Sequence, residues 1–293
     1  MKRVFVAAST VAGAAALGYS TYVVGASQIR DALGRIGWGF AAILLLSGVR
    51  ETVRAYAWTR TLDVPARLSL ADALRARLAG EALNTLLPMG FVVGEPAKAH
   101  HVADHLPFDI AFSALMIELA FYSASLGLVF GAAALTILPP MAVLGIIVLG
   151  AAIVPVLKRA RRIFEPLVDF VRDRPRRAFA IIALEAGYHA LGIVEAYLIL
   201  HFISPTGAAW TAALLLETVN RGVTIVFKML PMRIGVDEAS AAVMANRLAL
   251  GSTTGVMLAL VRKLRLLFWA ALGLGFMLLS VGKQPARAYA PAT

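Results

Sequence analysis

The 293-residue chain is 60% hydrophobic, with a mean hydropathy of +0.78 and 15% charged residues, which excludes a soluble globular domain. It has no cysteine, so disulfides, thiolate chemistry and cysteine-bound metal are excluded as well. The net charge of +11 falls in clusters between apolar runs, the pattern of positive-inside topology and anionic lipid surfaces rather than of a nucleic-acid groove.

Taken in chain order, residues 4–25 form an uncharged run after Lys2-Arg3 that is long enough to span a bilayer. Val24-Gly25-Ala26 also offers a signal-peptide cleavage site, but the apolar run exceeds a usual signal core, which favours a retained span. A second span starts at Gly37, reads apolar to Val49, then carries Arg50, Glu51 and Arg54 before Trp58, the residue expected at the interface. An Arg–Glu pair is expected on one face of that helix. Residues 63–78 bear Arg67, Arg75 and Arg77 among alanines and leucines and read as a surface-lying amphipathic helix. Residues 108–138 form a long span holding Glu118, and Pro139-Pro140 turns the chain. Residues 141–157 span back into the basic patch 158–162. Residues 176–203 span again with Glu185, His189 and Glu195 inside, and 204–207 turn. Residues 255–281 form the last span, with Arg262, Lys263 and Arg265 in its first half.

Between these spans an internal repeat stands out. Leu87-Pro88-Met89 recurs as Leu230-Pro231-Met232, with a glutamate seven residues after each proline, Glu95 and Glu238. Each copy follows the same spacing, Glu81-x-x-Asn84 and Glu217-x-x-Asn220, and the second has seven more residues between its Asn and its Pro, about two helical turns. Acids, amides and prolines placed twice in apolar sequence are costly in a bilayer and point to a shared site.

Orientation follows from the charges. Placing both termini, the region 60–98 and the loop 158–177 in the cytoplasm gathers nearly all loop Lys and Arg on one side. The first copy is then entered and left from the cytoplasm and the second from outside, so each reads as a re-entrant hairpin broken at its proline. The expectation is an all-α polytopic membrane protein, one domain over residues 1–293, with about six transmembrane helices and two hairpins. The halves are an inverted-topology repeat, 1–138 with a hairpin at about 81–105 and 139–293 with a hairpin at about 208–250.

Glu and Asn at i and i+3 project from one helix face, so each block offers a carboxylate beside an amide. Gly94-Glu95-Pro96 reads as the start of one outgoing half-helix, and Gly235-Val236-Asp237-Glu238 as the start of the other, with Asp237 as its cap. The substrate-binding candidates are therefore Glu81, Asn84, Glu95, Glu217, Asn220 and Glu238, joined by Arg221, Lys228 and Arg233 as cations suited to an anionic headgroup. The alternative is that these groups cap broken helices and pair with each other. Arg262, Lys263 and Arg265 either touch substrate or snorkel to the interface. Glu185 and His189 either relay a proton or share a structural hydrogen bond. His100, His101 and His105 lack a carboxylate to complete a metal set, and no nucleophile motif or phosphate loop is present, so neither enzyme, metal nor cofactor is expected.

From Gly80-Glu-Ala-Leu-Asn84 to Gly94-Glu95, and from Leu230-Pro231 to Glu238, the chain resembles the transmembrane, flippase-like domain of the lysylphosphatidylglycerol synthase superfamily. The resemblance implies movement of a polar lipid between leaflets and makes the repeated acids and amides the site. Synthases of this kind continue into a soluble aminoacyltransferase domain, whereas this sequence stops at Thr293, so lysyl-lipid synthesis is not expected. The reading is a bacterial inner-membrane flippase for a polar lipid, anionic or of polyprenyl or hopanoid type. Its partners are membrane lipids, with lipid-synthesis enzymes beside it and no nucleic acid. The rivals are a secondary transporter of a small anion or ion, and a non-transporting accessory subunit of a lipid-synthesis enzyme.

Overall fold

The computed structural model describes residues 26–62, 68–137, 161–204 and 209–281, with scattered positions between 11 and 22. The expected spans at 4–25 and 141–157, the Pro139-Pro140 turn, most of the basic patch and of the 204–207 turn, and the carboxyl tail lie outside the described residues. The described chain is helical, without strands: α1 (Ala26–Ile36), α2 (Gly39–Thr61), α3 (Leu70–Leu86), α4 (Gly90–His101), α5 (Phe108–Ile137), α6 (Arg161–Asp173), α7 (Pro175–Ile203), α8 (Trp210–Val226), α9 (Val236–Arg247) and α10 (Ser252–Val281).

Among the described residues, α5 and α7 are long and apolar enough to cross a membrane. The α1–α2 pair meets the same test taken together but bends by 95° between Ile36 and Gly39. Gly37 sits in that bend at φ +52°, a conformation that a side chain would resist. The 30-residue α10 is as long as α5, but Arg262, Lys263 and Arg265 interrupt its apolar surface. The chain is a helical membrane protein. The amphipathic α6 lies at its edge, turning Leu167 and Phe170 toward α5 and α7 and leaving Asp169 and Arg172 exposed.

Trp58 is fully buried, packed with Leu62, Ala76, Val102 and Leu115, so it is a core residue and not an interface anchor. The stretch expected as a surface helix up to residue 78 instead feeds into α3. Ser69 caps that helix, its Oγ accepting the Asp72 N–H at 3.1 Å, and α3 then runs to Leu86 without a break. Arg77, expected at the surface, is buried at the molecule's centre. Arg77 turns into the protein, while Arg75 and Asp72 pair at the surface one turn earlier.

The two LPM blocks are helix breaks. Proline cannot continue a helix, and α3 ends at Leu86, just before Leu87-Pro88. In the second copy α8 ends at Val226, Phe227–Met229 turn, and Pro231–Arg233 form a single 3-10 turn before α9. The seven extra residues thus make about one more helical turn plus a turn segment, not two helical turns. Met89 and Met232, the methionines of the two blocks, both adopt the left-handed region, at φ 50° and 52°. A non-glycine residue held there is strained, and such strain concentrates at functional sites. The two breaks also meet, because the Met89 N–H donates to the Met229 carbonyl at 3.0 Å.

The outgoing helices start differently from expectation. α4 begins at Gly90, so Pro96 lies inside it and Glu95 sits beyond its first turn. α9 is capped at Gly235, whose N–H donates to Glu238 Oε2 at 2.8 Å, while Asp237 pairs with Arg233 instead of capping.

Candidate functional site

Between the two breaks, α2, α3, α7, α8, α9 and α10 enclose a charged cavity of about 200 Å³, with Tyr122 of α5 in its wall. α2 supplies three of its charges. Arg50 and Arg54, one turn apart, share a face and Glu51 points about 100° away from Arg50, and each reaches a neighbouring helix instead of forming the expected on-helix pair. Arg50 bonds to Glu195 of α7. Glu51 accepts from Arg77 Nε of α3 at 3.0 Å. Arg54 makes a two-pronged contact with Glu118 of α5, at 2.7 and 2.9 Å. Arg54 also lies 4.0 Å from the Tyr122 ring centroid, and Arg50 lies 4.5 Å from that of Tyr188.

α10 closes the opposite wall. Arg262 donates to Glu217 at 2.6 Å, Lys263 to Glu238, and Arg265 to Glu195. Arg262 and Lys263 are buried, and Arg265 turns inward to the buried Glu195, so all three make internal ion pairs and none snorkels.

The repeat residues divide into three groups. Glu81, Glu217, Asn220, Arg221 and Arg233 line the cavity. Glu81 accepts from Lys98 Nζ at 2.7 Å, and Arg221 Nε donates to Glu217 at 2.8 Å while its Nη1 reaches the Tyr122 hydroxyl at 3.1 Å. Asn84, Glu95 and Glu238 sit behind the wall. Asn84 Nδ2 and Lys98 Nζ both donate to Glu95, at 2.9 and 2.8 Å. Lys228 stays outside, exposed, its ammonium 4.8 Å from the Phe91 ring.

Glu185 and His189 share no hydrogen bond; His189 Nε2 lies 3.3 Å from the Tyr122 carbonyl. His105 pairs loosely with Asp72 at 3.7 Å, and His100 packs on Phe108. Among the described residues no three potential ligands converge on a metal position. Sequence reasoning did not single out Tyr122, Tyr188, Ser47 or Trp269. A tyrosine or tryptophan on an apolar helix has the same pattern whether it faces lipid or a cavity, so no signal marks them.

The charges are sorted by side. Toward α3 and α5 the carboxylates of Glu51, Glu81, Glu95, Glu118 and Glu185 share Arg54, Arg77 and Lys98. Toward α8 and α10 the carboxylates of Glu195, Glu217, Asp237 and Glu238 face Arg50, Arg221, Arg233, Arg262, Lys263 and Arg265. Of the groups that line the cavity itself, Glu51 and Glu81 balance Arg54 and Arg77 on the first side, while five arginines outnumber Glu195, Glu217 and Asp237 on the second, so that end is rich in cations.

An apolar groove of about 650 Å³ runs beside the cavity, walled by Leu45, Val49, Val53 and Phe268 of α2 and α10 together with Leu74 and Leu184. Trp269 belongs to both spaces, and its Nε1 donates to Ser47 Oγ at 2.7 Å.

A helical membrane protein with two helix breaks meeting beside a buried charged cavity is the class that this architecture defines. The chain belongs to the family described as the lysylphosphatidylglycerol synthase TM region, which matches residues 5–275. No curated protein and no solved structure matches it.

Proposed function

We propose that the protein moves an anionic lipid between membrane leaflets, the headgroup passing through the charged cavity while the acyl chains stay in the bilayer. The observation that carries this reading is the contact between a cation-rich cavity end and an apolar groove, with Trp269 in both walls. A phosphate is bound well by several guanidinium groups. A small-anion transporter has no use for an apolar groove beside its site, which favours a lipid over that rival. The broken helices fit too, since irregular backbone at membrane depth occurs where it is buried in protein or lines a cavity. The inverted repeat with about six spans, the inner-membrane location and the cytoplasmic termini belong to the same proposal.

Leaflet exchange in reconstituted vesicles tests it. Wild-type protein is expected to accelerate exchange of a labelled anionic lipid. Arg221→Ala and Arg233→Ala are each expected to slow the anionic lipid about tenfold, the equivalent of one charge-assisted hydrogen bond, and a zwitterionic lipid less. No acceleration by the wild type removes the reading, and equal losses for both lipids make the arginines structural.

A further inference from the structure

Glu185 lies in the middle of α7 with none of its surface exposed, and neither carboxylate oxygen has a hydrogen-bond partner. Its ion pair is with Arg54, whose Nε is 3.4 Å from Oε2. That guanidinium is already engaged, since its Nε and Nη2 both donate to Glu118. Arg77 approaches from α3, with Nη1 3.6 Å from Glu118 and without a hydrogen bond of its own. The other Arg77 nitrogens serve Glu51 and Glu81. On α7 itself, Tyr188 stacks beside Arg54, and His189 leaves Nδ1 without a partner. Tyr122 of α5 also packs on Arg54, its ring edge-on to that of Tyr188, and its hydroxyl accepts from Arg221 of α8. One turn away the packing becomes apolar, with Ala57, Phe121, Phe170 and Ile181.

A carboxylate buried without hydrogen bonds, second in line for a cation that another carboxylate has already neutralised, is among the costliest groups that a protein interior can hold. Taking up a proton removes that cost. The geometry points to a proton-binding site: Glu118 and Glu185 hold one proton between them, and Arg54 passes from Glu118 to Glu185 when it leaves. The proton comes from water in the cavity, which Arg54 lines, and returns there.

The same residues link this site to the cation-rich end. Arg54 touches Tyr122, Tyr122 is held by Arg221, and Arg221 is paired with Glu217. Arg54 is the element with two arrangements, which a coupling mechanism requires. An anion that draws Arg221 away from Tyr122 and Glu217 changes the field on Arg54 and so the balance between its two carboxylates. The protein would then exchange a proton for each anionic headgroup it handles. This coupling rests on the lipid-transport reading, whereas the proton site does not.

Infrared difference spectroscopy on the purified full-length protein at neutral pH reads the proton directly. A carboxylic-acid C=O band is expected in the wild type, shifted in heavy water, present in Glu95→Gln and lost in Glu185→Gln. Should Glu185→Gln fail to fold, Glu118→Gln is expected to lose the band as well, because Arg54 is then free to hold Glu185 as a carboxylate. No band in the wild type, or a band that survives in the folded variants, overturns the proton site. In vesicles, wild-type exchange of an anionic lipid is expected to follow an imposed pH gradient. Exchange that ignores the gradient overturns the coupling while the spectroscopic result stands. Absence of any exchange sinks the transport reading instead.

Discussion

Lys98 neutralises two carboxylates at once, Glu81 of α3 and Glu95 on its own helix, and is itself buried. Removing it leaves Glu95 without a cation and Glu81 with only Arg77 at 3.4 Å, which costs more than the pair gained when formed. Lys98→Ala is expected to destabilise the protein by about 3 kcal/mol, the lower end of the range for a broken buried pair, because Glu81 keeps 31% of its side chain exposed. Adding Glu95→Gln to that variant should restore part of the loss. Thermal unfolding in detergent measures both, and a single variant as stable as the wild type would show that water already screens the cluster. At this scale the sequence drew attention to Glu81 and Glu217, acids repeated in apolar sequence, and both line the cavity. It did not reveal their partners. Glu95 and Glu238 share an offset from proline, yet one pairs with Lys98 inside its own hairpin and the other with Lys263 on α10. The outgoing helix starts two residues after Pro88 but five after Pro231, so equal spacing from proline does not give equal surroundings.

Helix contacts in the cavity wall depend on close backbone approach. Gly273 of α10 packs against Leu78 of α3, and a Cβ there would overlap the Leu78 carbonyl. Backbone cannot swing aside as a side chain can, so Gly273→Ala must push α10 away from α3. The expected cost is about 1–3 kcal/mol, as for other overpacked contacts. Gly127 and Gly131 of α5 have nothing within 4 Å of an added Cβ, so alanine there should be neutral or slightly stabilising. Unfolding midpoints of the three variants decide the matter, and equal midpoints would contradict the packing described. Element boundaries were legible where chemistry punctuates the chain: Pro88 stops α3 and the Gly37 region bends α1 from α2. The first limb of the hairpin was misread because arginine and alanine alternate on α3 in the same way whether the polar face meets water or a buried cavity.

At the scale of the whole molecule, the repeat in sequence becomes a meeting of two breaks in space. Proline and left-handed methionine end each limb, the Met89–Met229 bond joins them, and the cavity lies between the helices that they interrupt. Composition alone was enough for a helical membrane protein, since 60% apolar residues without cysteine leave few alternatives. What composition could not give is which charges meet, because a charge in a membrane helix finds its partner through the packing of helices distant in sequence, as Arg50 finds Glu195. If a headgroup passes between the two hairpins, their tips must part during the cycle. The absence of native cysteine allows that to be tested with a single engineered pair, Met89→Cys with Met229→Cys. Leaflet exchange of an anionic lipid should stop when this pair is oxidised and recover on reduction, with the wild type unaffected by either treatment. Exchange that continues at the wild-type rate with the pair cross-linked would contradict passage between the hairpins.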